Sequence, residues 1–202
     1  MLKLYGTSMS RAGRCVWGLE EVKQKYDHVP VGFTGDTRKP EFLKMNPNGH
    51  VPTLDDDGFI IWESMAINLY LAEKYGRAPL WPSSAQDHGV AYQWSFWGMT
   101  EVEPHLISIF QNRAMAPPEK RSEQAAQTAV EALKAPLKVL NDHLSNREYL
   151  LGKDFTVADL NVAAVMMLAP MVGIDFSQVP TANKWLQKCL DREASQKARS
   201  AK

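Results

Sequence analysis

The sequence predicts a small α/β domain with a mixed four-stranded sheet over residues 1–76, a linker over 77–87, and an all-helical domain over 88–202. Three observations predict it. Short β-type runs alternate with helical patterns in the first 76 residues. The stretch Ala78-Pro79-Leu80-Trp81-Pro82-Ser83-Ser84 then breaks every pattern. Beyond it, apolar residues recur at helical spacing to near the end of the chain.

The elements follow in order. Leu2–Tyr5 reads as a strand and Gly6-Thr7-Ser8-Met9 as a loop. A helix is expected from about Ser10 to Lys25, with Cys15, Val16, Leu19 and Val22 as its apolar stripe and Glu20 and Glu21 outside. Tyr26–Phe33 holds a second strand, His28-Val29-Pro30-Val31, parallel to the first. Thr34–Lys44 is polar and broken by Gly35-Asp36 and Arg38-Lys39-Pro40. Val51-Pro52-Thr53-Leu54 and Phe59-Ile60-Ile61-Trp62 form an antiparallel hairpin around the loop Asp55-Asp56-Asp57-Gly58. A helix capped by Ser64 and ended by Gly76 follows.

In the second half, Ala85–Met115 reads as one long helical segment kinked at Pro104, and Glu119–Asn146 as a second interrupted by Pro136. Thr156–Leu168 is a third, with Thr156 and Asp159 as a capping pair and Phe155 and Leu160 at the staple positions. The last helix is Thr181 to about Arg192, and the polar tail beyond it is expected to fray.

Composition narrows the function classes. The 23 basic and 23 acidic residues cancel, so there is no electrostatic footprint for nucleic acid or an anionic membrane. No apolar run approaches the roughly 18 residues of a membrane span. Met1-Leu2-Lys3-Leu4-Tyr5 goes straight into a strand pattern, so no signal peptide is expected. Cys15 and Cys189 form no metal or redox motif, which fits a reducing compartment and predicts a cytoplasmic protein without a metal.

Two details are unusual for a structural hairpin. Pro52 opens a strand, where it removes a ladder donor, so the strand is an edge or begins in a special geometry such as a cis Val51–Pro52 bond. Glu63-Ser64 puts an anion and a hydroxyl at a helix N-terminus. That pair either caps the helix or holds an amino-acid head group, Glu63 on the ammonium and Ser64 on the carboxylate.

Three motifs in order carry a resemblance. They are Leu4-Tyr5-Gly6 with Ser10-Arg11-Ala12-Gly13-Arg14-Cys15-Val16-Trp17 and Leu19-Glu20-Glu21; Asn46-Pro47-x-Gly49-His50-Val51-Pro52-x-Leu54 running into Glu63-Ser64-x-Ala66-Ile67; and Phe155-Thr156-x-Ala158-Asp159. Together they resemble the cytosolic glutathione S-transferases over essentially the whole chain, with a bacterial-type, serine-type active site. The resemblance implies a thioredoxin-like N-terminal domain, glutathione as co-substrate, a small hydrophobic electrophile as second substrate, and a homodimer. It implies a cis Val51–Pro52 bond that turns the Val51 backbone toward glutathione, Glu63 and Ser64 on its γ-glutamyl end, and His50 where many relatives have Gln. Arg38 or Lys39 would hold the glycyl carboxylate, or form a solvated loop. The dimer would use the Met65 face and the first long C-terminal helix.

Conjugation needs a thiolate, and a free thiol with a pKa near 8.5 is only a few per cent ionised at neutral pH. A hydroxyl donor at the positive end of the first helix can lower that pKa. Ser10 is the first candidate because it precedes Arg11 at the helix start, where serine-type transferases place theirs; Ser8 and Thr7 follow, and Ser10 could instead merely cap the helix. Tyr5 lies within a strand, Cys15 on an apolar stripe, and Arg14 reads as a paired structural residue. Met9 is a candidate lining residue for an apolar electrophile site between the domains, whereas Trp94, Trp97 and Met99 read as helix-packing core. The same bound thiol could serve an isomerase, dehalogenase or peroxidase. A non-catalytic interaction domain is the rival from another class, which retention of Ser10, Val51-Pro52 and Glu63-Ser64 argues against.

Overall fold

The computed structural model describes residues 1–32 and 35–201. Phe33 and Thr34, where the expected second-strand stretch ends and the polar segment begins, lie outside the described residues, as does Lys202 at the end of the expected tail. The chain forms two compact units, Met1–Trp81 with the chain from Asp191 onward, and Pro82–Leu190.

The first unit is built on a four-stranded sheet of β1 (Leu2–Tyr5), β2 (Tyr26–Val29), β3 (Thr53–Asp56) and β4 (Phe59–Trp62), in the order β2-β1-β3-β4. β1 is parallel to β2 and antiparallel to β3, which is antiparallel to β4. Leu4 pairs with Leu54 at the centre of the sheet, and both are fully buried. The second strand ends at Val29, before Pro30, which cannot donate to the ladder.

The hairpin turn is tighter than the sequence predicts. Asp56 pairs with Phe59, leaving a two-residue loop rather than four. Asp57 and Gly58 have φ of 52° and 94°, the left-handed pair that matches the strand twist. Asp56 belongs to the ladder, and α3 (Ser64–Tyr75) supplies partners for it. Its carboxylate accepts from Tyr70 Oη at 2.6 Å, Lys74 Nζ at 2.5 Å and Tyr75 Oη at 2.7 Å.

α1 (Ala12–Val22) is shorter than predicted. Ser10 and Arg11 form a turn before it, and Lys23 ends it in a left-handed conformation. It packs against α3, where the Asn68 amide donates to the Arg14 carbonyl at 3.3 Å. The segment expected to be irregular holds a 3₁₀ turn at Asp36–Arg38 and α2 (Pro40–Leu43).

In the second unit, α4 (Ala85–Trp97) and α5 (Glu103–Phe110) continue through a π-helical turn at Gly98–Val102, and a second π turn follows at Gln111–Met115. The first π turn lies just ahead of Pro104, which lacks the N–H a regular ladder needs. α6 (Glu123–His143) runs through Pro136 without a break, with Leu133, Leu137 and Leu140 buried on one face. α7 (Val157–Met166) opens with the predicted Thr156–Asp159 capping box. Asp159 also accepts from Leu150 N at 2.8 Å and Trp185 Nε1 at 2.9 Å. α8 (Leu168–Met171) and α9 (Pro180–Leu190) complete this unit. Trp94 is buried against Trp97 and His143, as a packing residue.

The chain end departs from expectation. Glu193–Ser200 is a helix, α10, packed on α1 in the first unit rather than a frayed tail of the helical one. Glu21, expected to face solvent, explains why. Its carboxylate accepts from Arg192 Nε at 2.7 Å and Nη2 at 2.8 Å. Ser195 and Ala198 are buried, small enough for close helix approach.

Candidate functional site

The sheet register gathers the site at one end of the ladder. Tyr5 pairs with Thr53 and Thr53 with Trp62, so the chain leaves that end at Gly6, at Val51-Pro52 and at Glu63-Ser64. Gly6, with φ of 134°, sits between the pieces. A Cβ there would lie 3.1 Å from Val51 Cβ and 3.4 Å from Ser10 Oγ, and 2.6 Å from Ala12 Cβ. A side chain at position 6 would therefore force the loop, the hairpin and the helix start apart. Gly6 N–H donates to Val29 C=O at 3.0 Å, and His28 Nε2 donates to Gly6 C=O at 2.8 Å, fixing the loop to β2.

Ser10 stands at the entrance to α1. Its hydroxyl donates to Thr7 C=O at 2.7 Å, and its oxygen accepts from Ala12 N–H at 3.0 Å. The oxygen is thus tied to the positive end of the helix, while its proton rests on a carbonyl that a stronger acceptor could replace. The Ser8 hydroxyl is committed to Ala201 C=O at 2.7 Å. The Thr7 hydroxyl has no hydrogen bond among the described residues. Met9, between Ser8 and Ser10, is 86% exposed.

The Val51–Pro52 bond is cis, and a second cis bond, Ala78–Pro79, follows α3. No hydrogen bond among the described residues uses the Val51 N–H or C=O. The segment is held by a residue that sequence reasoning left without a role. Asn46, only 2% exposed, donates through Nδ2 to His50 C=O at 2.8 Å and Thr53 Oγ1 at 3.3 Å, and its Oδ1 accepts from Asn48 N–H at 3.1 Å. An Asn before Pro in a turn-rich stretch was the available signal. His50 itself points to the exposed surface.

Ser64 is not the N-cap, as predicted; it is itself the first residue of α3, and Glu63 precedes it as the N-cap residue at φ of 75°. That left-handed backbone is uncommon for a non-glycine residue. Glu63 is exposed and Ser64 buried, and neither side chain has a hydrogen-bond partner among the described residues.

Arg38 and Lys39 diverge. Arg38 Nη1 donates to Asn48 C=O at 3.2 Å, and the guanidinium covers Gly49, 2.8 Å from where a Cβ would lie. Lys39 pairs with Asp36 at 2.8 Å, whose hydrogen bond and charge raise its pKa. Cys15 is fully buried beneath the Glu63-Ser64 end, its thiol 3.7 Å from Ser64 C=O. Burial pushes that thiol far up, against the pull of Arg14, so it stays protonated. Tyr5 packs edge-on against Phe42.

A four-stranded mixed sheet with this site at its end, joined to a helical unit, defines a glutathione-transferase architecture. The family models agree: residues 1–73 match the glutathione S-transferase N-terminal domain and residues 102–193 the C-terminal domain. The chain belongs to the glutathione S-transferase family. It is 30% identical over 201 residues to glutathione S-transferase GstB of Escherichia coli K12, covering 98% of this chain and 97% of that one. It is 32% identical to glutathione S-transferase D7 of Drosophila melanogaster, covering 92% and 83%. Among solved structures, a theta-class enzyme from Xanthomonas axonopodis with glutathione bound superposes with a TM-score of 0.92 at 25% identity, covering 100% and 98%. Glutathione S-transferase-I bound to lactoylglutathione gives 0.90 at 28% identity, covering 98% of each chain.

Among the described residues no cluster of three or more His, Cys, Asp or Glu side chains could hold a metal. No helix among them is long and apolar enough to cross a membrane.

Proposed function

We propose that the protein conjugates glutathione to small hydrophobic electrophiles, and that Ser10 stabilises the attacking thiolate. The observation that carries this reading is the convergence of the Ser10 hydroxyl and the unbonded Val51 backbone at Gly6. Glutathione lies along Val51, its cysteinyl amide and carbonyl pairing with the Val51 C=O and N–H as an added strand would. The γ-glutamyl ammonium pairs with Glu63, and its carboxylate takes the Ser64 hydroxyl and the first free N–H groups of α3. Arg38, rather than the Asp36-paired Lys39, meets the glycyl carboxylate, with His50 beside it.

The sulfur then lies at Ser10. The hydroxyl exchanges its bond to Thr7 C=O for one to the thiolate, while Ala12 N–H continues to polarise the oxygen. A thiol pKa lowered by about two units corresponds to roughly 2.7 kcal/mol and makes most of the bound glutathione reactive. The thiolate attacks an electrophilic carbon, the C–S bond forms, and the leaving group departs with the electron pair.

The protein acts as a homodimer in the cytoplasm in this reading. Met65 is only 7% exposed and offers little surface, whereas Phe59 and Trp62 on β4 and Tyr92 and Phe96 on α4 are exposed.

The test applies the protein to immobilised glutathione and assays conjugation to a chloronitroaromatic for wild type, Ser10→Ala and Glu63→Ala. Retention with turnover, a large loss in Ser10→Ala and weaker glutathione binding in Glu63→Ala are expected. Absence of both retention and turnover in wild type would sink the reading. Full activity in Ser10→Ala would move the thiolate role to Ser8 or Thr7.

A further inference from the structure

We infer that α10 is a strap that positions the thiol-activating loop, and that Ser8 is the positioning residue through which it acts. This deepens the transferase reading and rests on Ser10 as the thiolate donor.

The strap is fixed at both ends of α1. Near the C-terminal end of α1, Arg192 makes a two-point pair with Glu21, whose side chain is 7% exposed and also accepts from Trp17 Nε1 at 2.9 Å. Trp17 is fully buried, so the anchor reaches into the core. Near the N-terminal end of α1, Ser8 Oγ donates to Ala201 C=O, joining residues 193 positions apart in sequence. The lengths agree: Gly13 to Glu21 and Arg192 to Ser200 are each eight positions apart, ~12 Å along a helix. α10 therefore runs back along α1 and ends beside the loop.

Ser8 is held from two sides. Its own carbonyl lies against Gly13, where a Cβ would overlap that oxygen, so α1 approaches the loop as closely as a bare backbone allows. Its hydroxyl is held by the strap. Two residues on, Ser10 N–H and Oγ both reach back to Thr7 C=O, so the Thr7–Ser10 turn moves with Ser8 as one piece. Freeing Ser8 from Ala201 loosens the Thr7 side of that turn while Ala12 N–H and Gly13 N–H still hold Ser10 to the α1 N-terminus, and so changes how the Ser10 hydroxyl is aimed at a bound sulfur. Glutathione's head group and backbone contacts, made at Val51 and Glu63-Ser64, stay in place. The strap therefore governs thiolate formation rather than glutathione affinity.

The test compares wild type, Ser8→Ala, Ser8→Thr, a chain ending at Ser200, and the combination of Ser8→Ala with that truncation. Arg192→Met loosens the strap at its other end without touching the loop. The readouts are kcat and KM for glutathione, the kcat–pH profile for the bound thiol, and backbone hydrogen exchange over residues 6–13. Ser8→Ala and the truncation should each lower kcat about fivefold, the effect of one lost hydrogen bond, and move the thiol pKa upward. KM for glutathione should stay within about twofold, and the combined variant should be no worse than either single one. Ser8→Thr should restore the rate, and Arg192→Met should speed exchange over 6–13. Fully multiplicative losses in the combined variant would overturn the proposal. So would a loss of a hundredfold or more in Ser8→Ala with the truncated chain fully active, which would make Ser8 the thiolate donor. If wild type neither binds glutathione nor turns over, the transferase reading fails. The strap is then judged on hydrogen exchange alone, and unchanged protection of 6–13 in the truncated chain overturns it.

Discussion

The Asn46 side-chain amide donates to the His50 main-chain carbonyl across a four-residue gap, and the same nitrogen reaches Thr53 Oγ1. The two contacts lie on either side of Val51 and Pro52, so one buried side chain sets the entry to and exit from the cis bond. Asn46→Ala removes these bonds and leaves the His50 carbonyl without its partner. The expected outcome is a KM for glutathione about tenfold higher, a smaller change in kcat, and a loss of about 1–2 kcal/mol in urea unfolding. An unchanged KM would separate Asn46 from the site.

Arg38 and Lys39 are adjacent in sequence but differ in partner. Arg38→Met should raise KM for glutathione about five- to twentyfold, the effect of one charge-assisted contact. Lys39→Met breaks an exposed pair with Asp36 and should change KM by less than about twofold. Steady-state kinetics with varied glutathione decide between them, and the reverse order would assign the carboxylate to Lys39.

Asp56 gives the fold an acid-labile component. Burial alone would push its carboxyl upward, but hydrogen bonds from Lys74, Tyr70 and Tyr75, with the Lys74 charge, outweigh it and hold the pKa below the ordinary carboxylate value. A depressed folded pKa stabilises fully above the unfolded value of about 3.9, and the benefit disappears as pH falls through the folded value. Asp56→Asn should therefore cost about 1–3 kcal/mol at pH 7. The gap to wild type should shrink below about pH 4, as read by urea unfolding at pH 7, 5 and 3. A gap that widens in acid would contradict the pairing.

Asp159 is the corresponding point in the helical unit. Burial raises its pKa, against hydrogen bonds from Leu150 N–H, Thr156 and Trp185 that pull it down. Asp159→Ala leaves those donors facing a void and should cost on the order of 3–5 kcal/mol. Thr156→Ala, which loses only the cap, should cost about 1–2 kcal/mol. Thermal unfolding of both variants, with Trp185→Phe as an intermediate case, checks the ranking.

Much of this architecture is legible from local pattern. The Leu2–Tyr5 strand and the capping box at Thr156 each depend on neighbours in sequence, and each lies where pattern and composition place it. What escaped depends on distant partners. Asp55 and Asp56 read as turn because they are polar, yet Asp56 pairs with Leu2 and Phe59 in the sheet while Tyr70, Lys74 and Tyr75 come round to meet its carboxylate. α10 has no apolar stripe to announce it. It packs through Ser195 and Ala198 and an ion pair to Glu21, 171 positions away. Gly6, Val51 and Glu63-Ser64 come to the same end of the ladder because of strand register, which single-chain periodicity does not reveal. The role of Asn46 was hidden for the same reason. Its partners are a carbonyl and a hydroxyl, and neither leaves a mark on residue choice.

On the proposed head-group role of Glu63, its left-handed backbone would set durability against activity at a single position. A glycine would adopt φ of 75° without the penalty of roughly 1–3 kcal/mol that a side chain incurs there. Glu63→Gly should therefore give a chain that resists heat better and holds glutathione worse. Selection for thermal endurance alone would drift toward that change, and selection for turnover would reverse it. Any laboratory stabilisation of this fold by relieving strained residues should leave position 63 alone.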